Sequence, residues 1–116
     1  MLFRSPPDQQ LITLASQGKL RLNLSAQVKR MLADPKAHNF TVNFAGQWLQ
    51  LRNLNGFAPI GDIYPDFDDN LRQAFRQEAE LFFESILKED RNVVDFLDAN
   101  YTFVNDRLAQ IGRAHV

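Results

Sequence analysis

Four carboxylates in the second half of the sequence have the residue type that acid–base chemistry and cation binding require. Glu80 and Glu84 are four residues apart, and on a helix this spacing puts both side chains on one face. Asp66 and Asp68 precede the same segment. Because two positioned carboxyl groups can serve as general acid and general base, these residues define one hypothesis, a hydrolase acting on an extracellular polymer.

The competing interpretation is a solvated helix face, and the sequence favours it. Arg76 and Lys88 each lie four residues from Glu80 or Glu84, a spacing at which ion pairs form on a helix surface. Iron sites of the ferritin-like type need a Glu-x-x-His motif, but the third residue after Glu80 is Phe83. The carboxylates therefore stay an alternative, and no catalytic residue is assigned.

Other catalytic and cofactor chemistry lacks its usual residues. Cysteine is absent, which excludes disulfides, thiolate metal sites and covalent haem attachment in these 116 residues. His38 is a single imidazole near the start of a predicted helix, and we interpret it as a surface or capping residue. The sequence has no Gly-x-Ser-x-Gly elbow and no glycine-rich phosphate loop. We therefore predict no cofactor and no metal ion in this segment.

Two side-chain amides, those of Asn43 and Gln47, lie four residues apart on a predicted helix that is otherwise rich in Phe, Trp and Leu. If they face inward, each amide needs hydrogen-bond partners. The segment 55–65 holds two Gly and two Pro and is predicted to be a long loop, held down by Phe57, Ile60 and Tyr64. We expect the two amides to be structural anchors that bond the backbone of this loop; ligand binding is the alternative.

Hydrophobic spacing predicts the elements that carry these residues, and it is helical through most of the chain. Two stripes recur at intervals of three or four: Phe40, Phe44, Trp48 and Leu51, then Leu71, Phe75, Ala79, Phe82 and Ile86. The sequence thus predicts an all-α fold, a compact bundle of five or six helices with one long Pro- and Gly-containing loop. Its core is expected to include Phe44, Trp48, Phe75 and Phe82.

Capping signals mark two of the helix starts. Ser5 stands before two prolines and Asp8, so its hydroxyl is expected to cap the first helix. Asp66 or Asp68 is expected to cap the longest helix, which carries the second stripe.

Charge is divided unevenly along the chain. Residues 1–60 hold seven Lys and Arg against two Asp, whereas residues 61–116 hold six Lys and Arg against twelve Asp and Glu. The two halves are therefore expected to attract each other. The basic residues are dispersed and do not form a patch, so nucleic acid is not an expected partner. There is no apolar run of about 18 residues, and membrane insertion is not expected either.

Several strings of residues together resemble one uncharacterised domain of large planctomycete-type proteins. The strings are Val28–Ala37, Asn43–Leu54, Phe67–Phe75, Glu78–Leu87 and Asp98–Ala109. Their order and spacing match that domain over residues 8–110.

The resemblance implies that the chain is one helical domain, residues 1–110, from a longer exported bacterial protein with several domains. Such proteins often carry a cytochrome c-like domain elsewhere, so haem is expected only outside this segment. The implied location is periplasmic or extracellular, and the implied partners are neighbouring domains of the same polypeptide. The resemblance supplies no catalytic residues. The resulting hypothesis is a non-catalytic structural or interaction module.

The last six residues, 111–116, depart from the family pattern. Their sequence, Ile-Gly-Arg-Ala-His-Val, reads like the translation of a common sequencing-library adapter. We interpret them as a non-native tail, whose removal is expected to leave the fold intact. His115 is therefore excluded from any metal site.

Overall fold

The structure, a computed structural model, describes residues 6–114 and contains six α-helices in that range. They are α1 (Gln9–Ser16), α2 (Leu24–Ala33), α3 (His38–Trp48), α4 (Asp69–Lys88), α5 (Asp95–Asp98) and α6 (Asp106–Ala114). Three short 3₁₀ helices add Arg21–Asn23, Pro35–Ala37 and Leu51–Asn55. No strand occurs among the described residues, so the predicted all-α class and the number of helices are confirmed.

Backbone contacts divide the chain into two units, the first ending at Phe40 and the second beginning at Thr41. The boundary falls inside α3, so that most of this helix belongs to the second unit. The sequence interpretation of residues 1–110 as a single domain stays a prediction. All the residues proposed from the sequence as site residues belong to the second unit.

In the first unit, Asp8 has two roles at the start of α1. Its carboxylate accepts a hydrogen bond from the Leu11 backbone N–H at 3.0 Å and so caps the helix. It also pairs with the Arg30 guanidinium of α2 at 2.7 Å. The hydrogen bond from Arg30 holds the pKa of the Asp8 carboxyl below its usual value. The predicted cap, Ser5, lies outside the described residues.

In the second unit, Asp68 is the one of the two predicted caps that starts α4: its carboxylate accepts a hydrogen bond from the Leu71 backbone N–H at 2.7 Å. The buried cluster begins one turn later and consists of Leu71, Ala74 and Leu108, with Phe67 and Ile111 packed against it. This cluster joins α4 to α6. Small and aliphatic side chains therefore form the core here.

The predicted core was wrong for Phe44, Trp48 and Phe75. Phe44 is 49% exposed, Trp48 54% and Phe75 37%, and Phe82 is half-buried. The buried residues of α3 within the second unit are Thr41, Ala45 and Gly46. Successive residues of an α-helix are rotated by about 100° around its axis. Phe44 is therefore about 60° from Thr41 around the helix, and Trp48 is about 60° from Ala45. The hydrophobic periodicity thus predicted the helix correctly, but it did not predict which face of the helix is buried.

Ile111 contributes to the core, whereas the sequence indicated that residues 111–116 can all be removed without loss. Because Ile111 packs on the core cluster, ending the chain at Gln110 is expected to lower the free energy of unfolding by about 1 kcal/mol. Ending it at Ile111 removes residues 112–116 and is the matched control, expected to leave stability unchanged. Urea unfolding of both truncations measures the difference. Equal stability of the two would contradict the packing role of Ile111. The non-native origin of residues 111–116 stays a prediction.

Candidate functional site

A groove in the second unit lies between α3, the 3₁₀ helix Leu51–Asn55 and α4, and has a volume of about 300 Å³. Eight residues line this groove, which we call the polar groove: Val42, Asn43, Gly46, Leu51, Arg52, Asn55, Arg76 and Glu80. Five of the eight carry amide, guanidinium or carboxylate groups. The groove therefore has the character of a hydrogen-bonding site.

Two arginines of α4 hold the 3₁₀ helix in place. One Arg72 nitrogen, Nη1, donates to the Leu54 carbonyl oxygen and to the Asn55 carbonyl oxygen, the latter at 2.9 Å. Arg76 Nη2 donates to the side-chain oxygen of Asn55. The last carbonyls of a short helix lack partners within the helix, so these guanidinium groups satisfy them. The wall of the polar groove is thereby fixed to α4.

The chain enters this 3₁₀ helix through Gln50, whose φ of 54° lies in the left-handed region. A non-glycine residue occupies that region only where its surroundings require it. The turn at Gln50 lies between the end of α3 and the 3₁₀ helix, and both of these elements line the polar groove.

The predicted polar anchors occupy different positions. Asn43 is half-buried and lines the polar groove together with Asn55. Gln47 is exposed and does not line it. The expected role of both amides as anchors of the loop stays a prediction, but arginines already bond the carbonyls of Leu54 and Asn55. Neither Arg72 nor Arg76 was predicted to have this role.

The loop that follows differs from its prediction. Phe57, Ile60 and Tyr64 are each more than half exposed, whereas they were expected to be drawn onto the core. Some backbone groups of the loop are paired within a local turn, since the Tyr64 N–H donates to the Ile60 carbonyl oxygen at 2.9 Å. Phe57 meets Phe67 edge to face, with ring centroids 5.7 Å apart. The loop thus bonds partly to itself.

The structure does not bring the four predicted carboxylates together. Glu80 lines the polar groove, and Glu84 pairs with Lys88 at 3.0 Å. The Asp68 carboxylate caps α4 and meets Arg107 at 3.3 Å, and the Asp66 backbone oxygen accepts from Arg107 at 2.8 Å.

Separation along α4 can be estimated from the helical rise. Asp68 and Glu80 are twelve residues apart, which corresponds to about 18 Å. The carboxyl pairs of glycoside hydrolases are about 5 to 9.5 Å apart. Asp68 is therefore not placed to share a glycosidic bond with Glu80.

A second feature of this unit is a connected set of aromatic rings. Trp48 contacts Phe44 and Phe96, with ring centroids 6.1 and 5.6 Å apart, and Phe83 contacts Phe44 at 5.8 Å and Phe96 at 5.5 Å. Next to Phe96 in the α5 segment, Leu97 is 90% exposed, and Val94 is also exposed. We call Phe44, Trp48, Val94, Phe96 and Leu97 the aromatic face. It is an apolar surface built on buried Phe83.

Within residues 6–114, no group of three or more His, Cys, Asp and Glu side chains is arranged to hold a metal ion. His38 is exposed at the first position of α3. Among the same residues, no helix combines the length and the apolar character needed to cross a membrane.

The fold is all-α over the described residues, and its second unit carries a polar groove and an exposed aromatic face. A family model described as "PSD4: Protein of unknown function (DUF1592)" matches residues 1–111. The chain belongs to this family. Comparison with curated proteins and with solved structures gave no significant match.

Proposed function

We propose that this chain is a non-catalytic interaction module that docks on a neighbouring domain of the same polypeptide through its aromatic face. The observation that carries the proposal is the exposure of Trp48, whose ring contacts Phe96, together with the exposure of Leu97, the residue that follows Phe96 in the chain. Contiguous apolar patches on soluble proteins commonly mark interaction sites, because their transfer out of water is favourable.

The aromatic face has the composition of a binding hot spot. Trp and other aromatic side chains supply large contact areas and few rotatable bonds, and they dominate the energetics of many interfaces. Trp48 and Phe44 are half-exposed while their inner edges rest on Phe83 and Phe96. A surface supported in this way needs little ordering when a partner covers it.

The proposal extends to the parent protein on the basis of the resemblance to planctomycete-type proteins. On this proposal the parent is a large exported bacterial protein with several domains, and its location is periplasmic or extracellular. Any haem belongs to another domain. The hydrolase hypothesis is not pursued, because no observation favours it over docking.

Fluorine NMR can test the docking, because Trp48 is the single tryptophan of the chain. The chain labelled with 5-fluorotryptophan is titrated with the unlabelled remainder of the parent polypeptide. Covering the indole should shift its ¹⁹F resonance in a saturable way. Leu97→Ser should weaken binding at least tenfold, since one anchor side chain is lost.

The matched control is Leu22→Ser, because Leu22 is 88% exposed in the first unit and lies outside the aromatic face. This variant should bind like the unchanged chain. Docking through the aromatic face would be contradicted if the Trp48 resonance did not shift on addition of the polypeptide, or if both substitutions weakened binding equally.

A further inference from the structure

We propose that the polar groove binds a small hydroxylated carboxylate of the sugar-acid class. This inference concerns a different surface from the aromatic face and does not depend on docking. It rests on the groups that line the groove, on their existing hydrogen bonds and on the space that Gly46 leaves.

The polar groove offers several N–H donors to a ligand. Arg52 is exposed at the groove, and within residues 6–114 no hydrogen bond or ion pair engages its guanidinium. Among the described residues, Arg76 makes a single hydrogen bond, from Nη2 to Asn55, which leaves its other N–H groups for a ligand. Since the Asn55 amide oxygen accepts this bond, the Asn55 NH₂ group remains a donor. The groove is therefore rich in N–H donors.

The charged groups that line the polar groove favour an anionic ligand. Two guanidinium groups face one carboxylate, that of Glu80, so the lining carries a net positive charge. A guanidinium matches the geometry of a carboxylate in a bidentate pair. Among the described residues, nothing forms a hydrogen bond or ion pair with the Glu80 carboxylate, which can accept only. A ligand that offers both a carboxylate and hydroxyl donors complements this arrangement.

The polar groove has room for a small ligand. A Cβ atom built at Gly46 would meet no atom within 4 Å, although Gly46 itself is buried. The groove volume of about 300 Å³ lies at the lower end of small-molecule sites, which suits a single sugar ring. Val42 and Leu51 supply apolar contacts for the ring carbons. The site therefore fits a monomeric sugar acid in size as well as in charge.

The test is isothermal titration of the 116-residue chain with glucuronate as the probe. Glucose has the hydroxyls without the carboxylate, and acetate has the carboxylate without the hydroxyls. Both should bind at least tenfold more weakly than glucuronate. Inorganic phosphate is the fourth arm, and tighter binding of phosphate than of glucuronate would overturn the ligand class.

Two variants locate the binding. Gly46→Leu places a side chain into the groove on a helix, where leucine is a better helix former than glycine, so binding should be lost while the melting temperature is kept. Gly112→Leu is the matched control, because Gly112 is also helical and a Cβ atom there would also meet no atom within 4 Å, but it lies outside the groove.

Arg52→Gln changes an exposed side chain that makes no bond within the described residues, so the fold is preserved. This variant should weaken glucuronate at least tenfold and acetate by a similar factor, with little effect on glucose. No heat of binding from glucuronate, or unchanged glucuronate binding in both Gly46→Leu and Arg52→Gln, would overturn the proposal.

Discussion

Replacing Phe83 with alanine is expected to lower the free energy of unfolding by about 3 to 5 kcal/mol. Phe83 is 5% exposed, and its ring lies 5.8 Å from that of Phe44 and 5.5 Å from that of Phe96. Truncation removes the buried ring and leaves a cavity that α3 and α5 cannot fill without moving. Guanidinium unfolding followed by circular dichroism measures the loss.

Phe75 supplies the matched control on the same helix. It is 37% exposed, so Phe75→Ala should cost about 1 kcal/mol, because much of its area is already in water. A loss of more than 3 kcal/mol from Phe75→Ala, or a loss below about 1 kcal/mol from Phe83→Ala, would show that the buried line of α4 has been assigned to the wrong residues.

Arg72→Met is expected to lower the free energy of unfolding by about 2 to 4 kcal/mol, since hydrogen bonds to charged groups contribute about 1.5 to 3 kcal/mol. Methionine keeps much of the apolar stem but cannot donate to the carbonyls of Leu54 and Asn55. It also loses the guanidinium contact with the Phe67 ring, at 5.3 Å. Unfolding measurements give the energy, and hydrogen exchange of residues 51–57 gives its location.

Lys88→Met is the control for loss of a cation from α4. Lys88 pairs with Glu84 one turn away, and such pairs contribute about 0.5 kcal/mol. If both variants lose the same small amount, or if exchange in the segment 51–57 does not change in Arg72→Met, the 3₁₀ helix is not held by Arg72.

The fold class was predictable because local signals agree along the chain. Asp68 was identified as a candidate cap from its place before a helical stripe, and the structure confirms it. The positions of the rings were harder to predict. A stripe with a period of 3.6 residues identifies an amphipathic helix. Which of two neighbouring apolar stripes on that helix is buried depends on the element that packs against it, and the spacing does not specify that element. Phe44 and Trp48 were therefore assigned to the core although they lie at its margin.

The candidate site was predictable only in part. Asn43 and Glu80 were singled out from residue type and spacing, and both line the polar groove. Arg76 was interpreted as a helix-surface cation and Arg72 was not singled out, because helical spacing considers only neighbours three or four residues away. Their partners in the 3₁₀ helix are 17 to 21 residues distant in sequence. Periodicity carries no information about contacts of that range.

The packing of α6 on α4 has a consequence for biosynthesis. Leu71 and Ala74 are covered by Leu108, which is translated 34 or more residues later. Until α6 emerges from the ribosome, the start of α4 displays its apolar side to water and to other nascent chains. The Asp68 cap and the Arg72 contacts can already form at that stage, because their partners lie within 18 residues. The polar groove can thus take shape during translation before the core cluster closes.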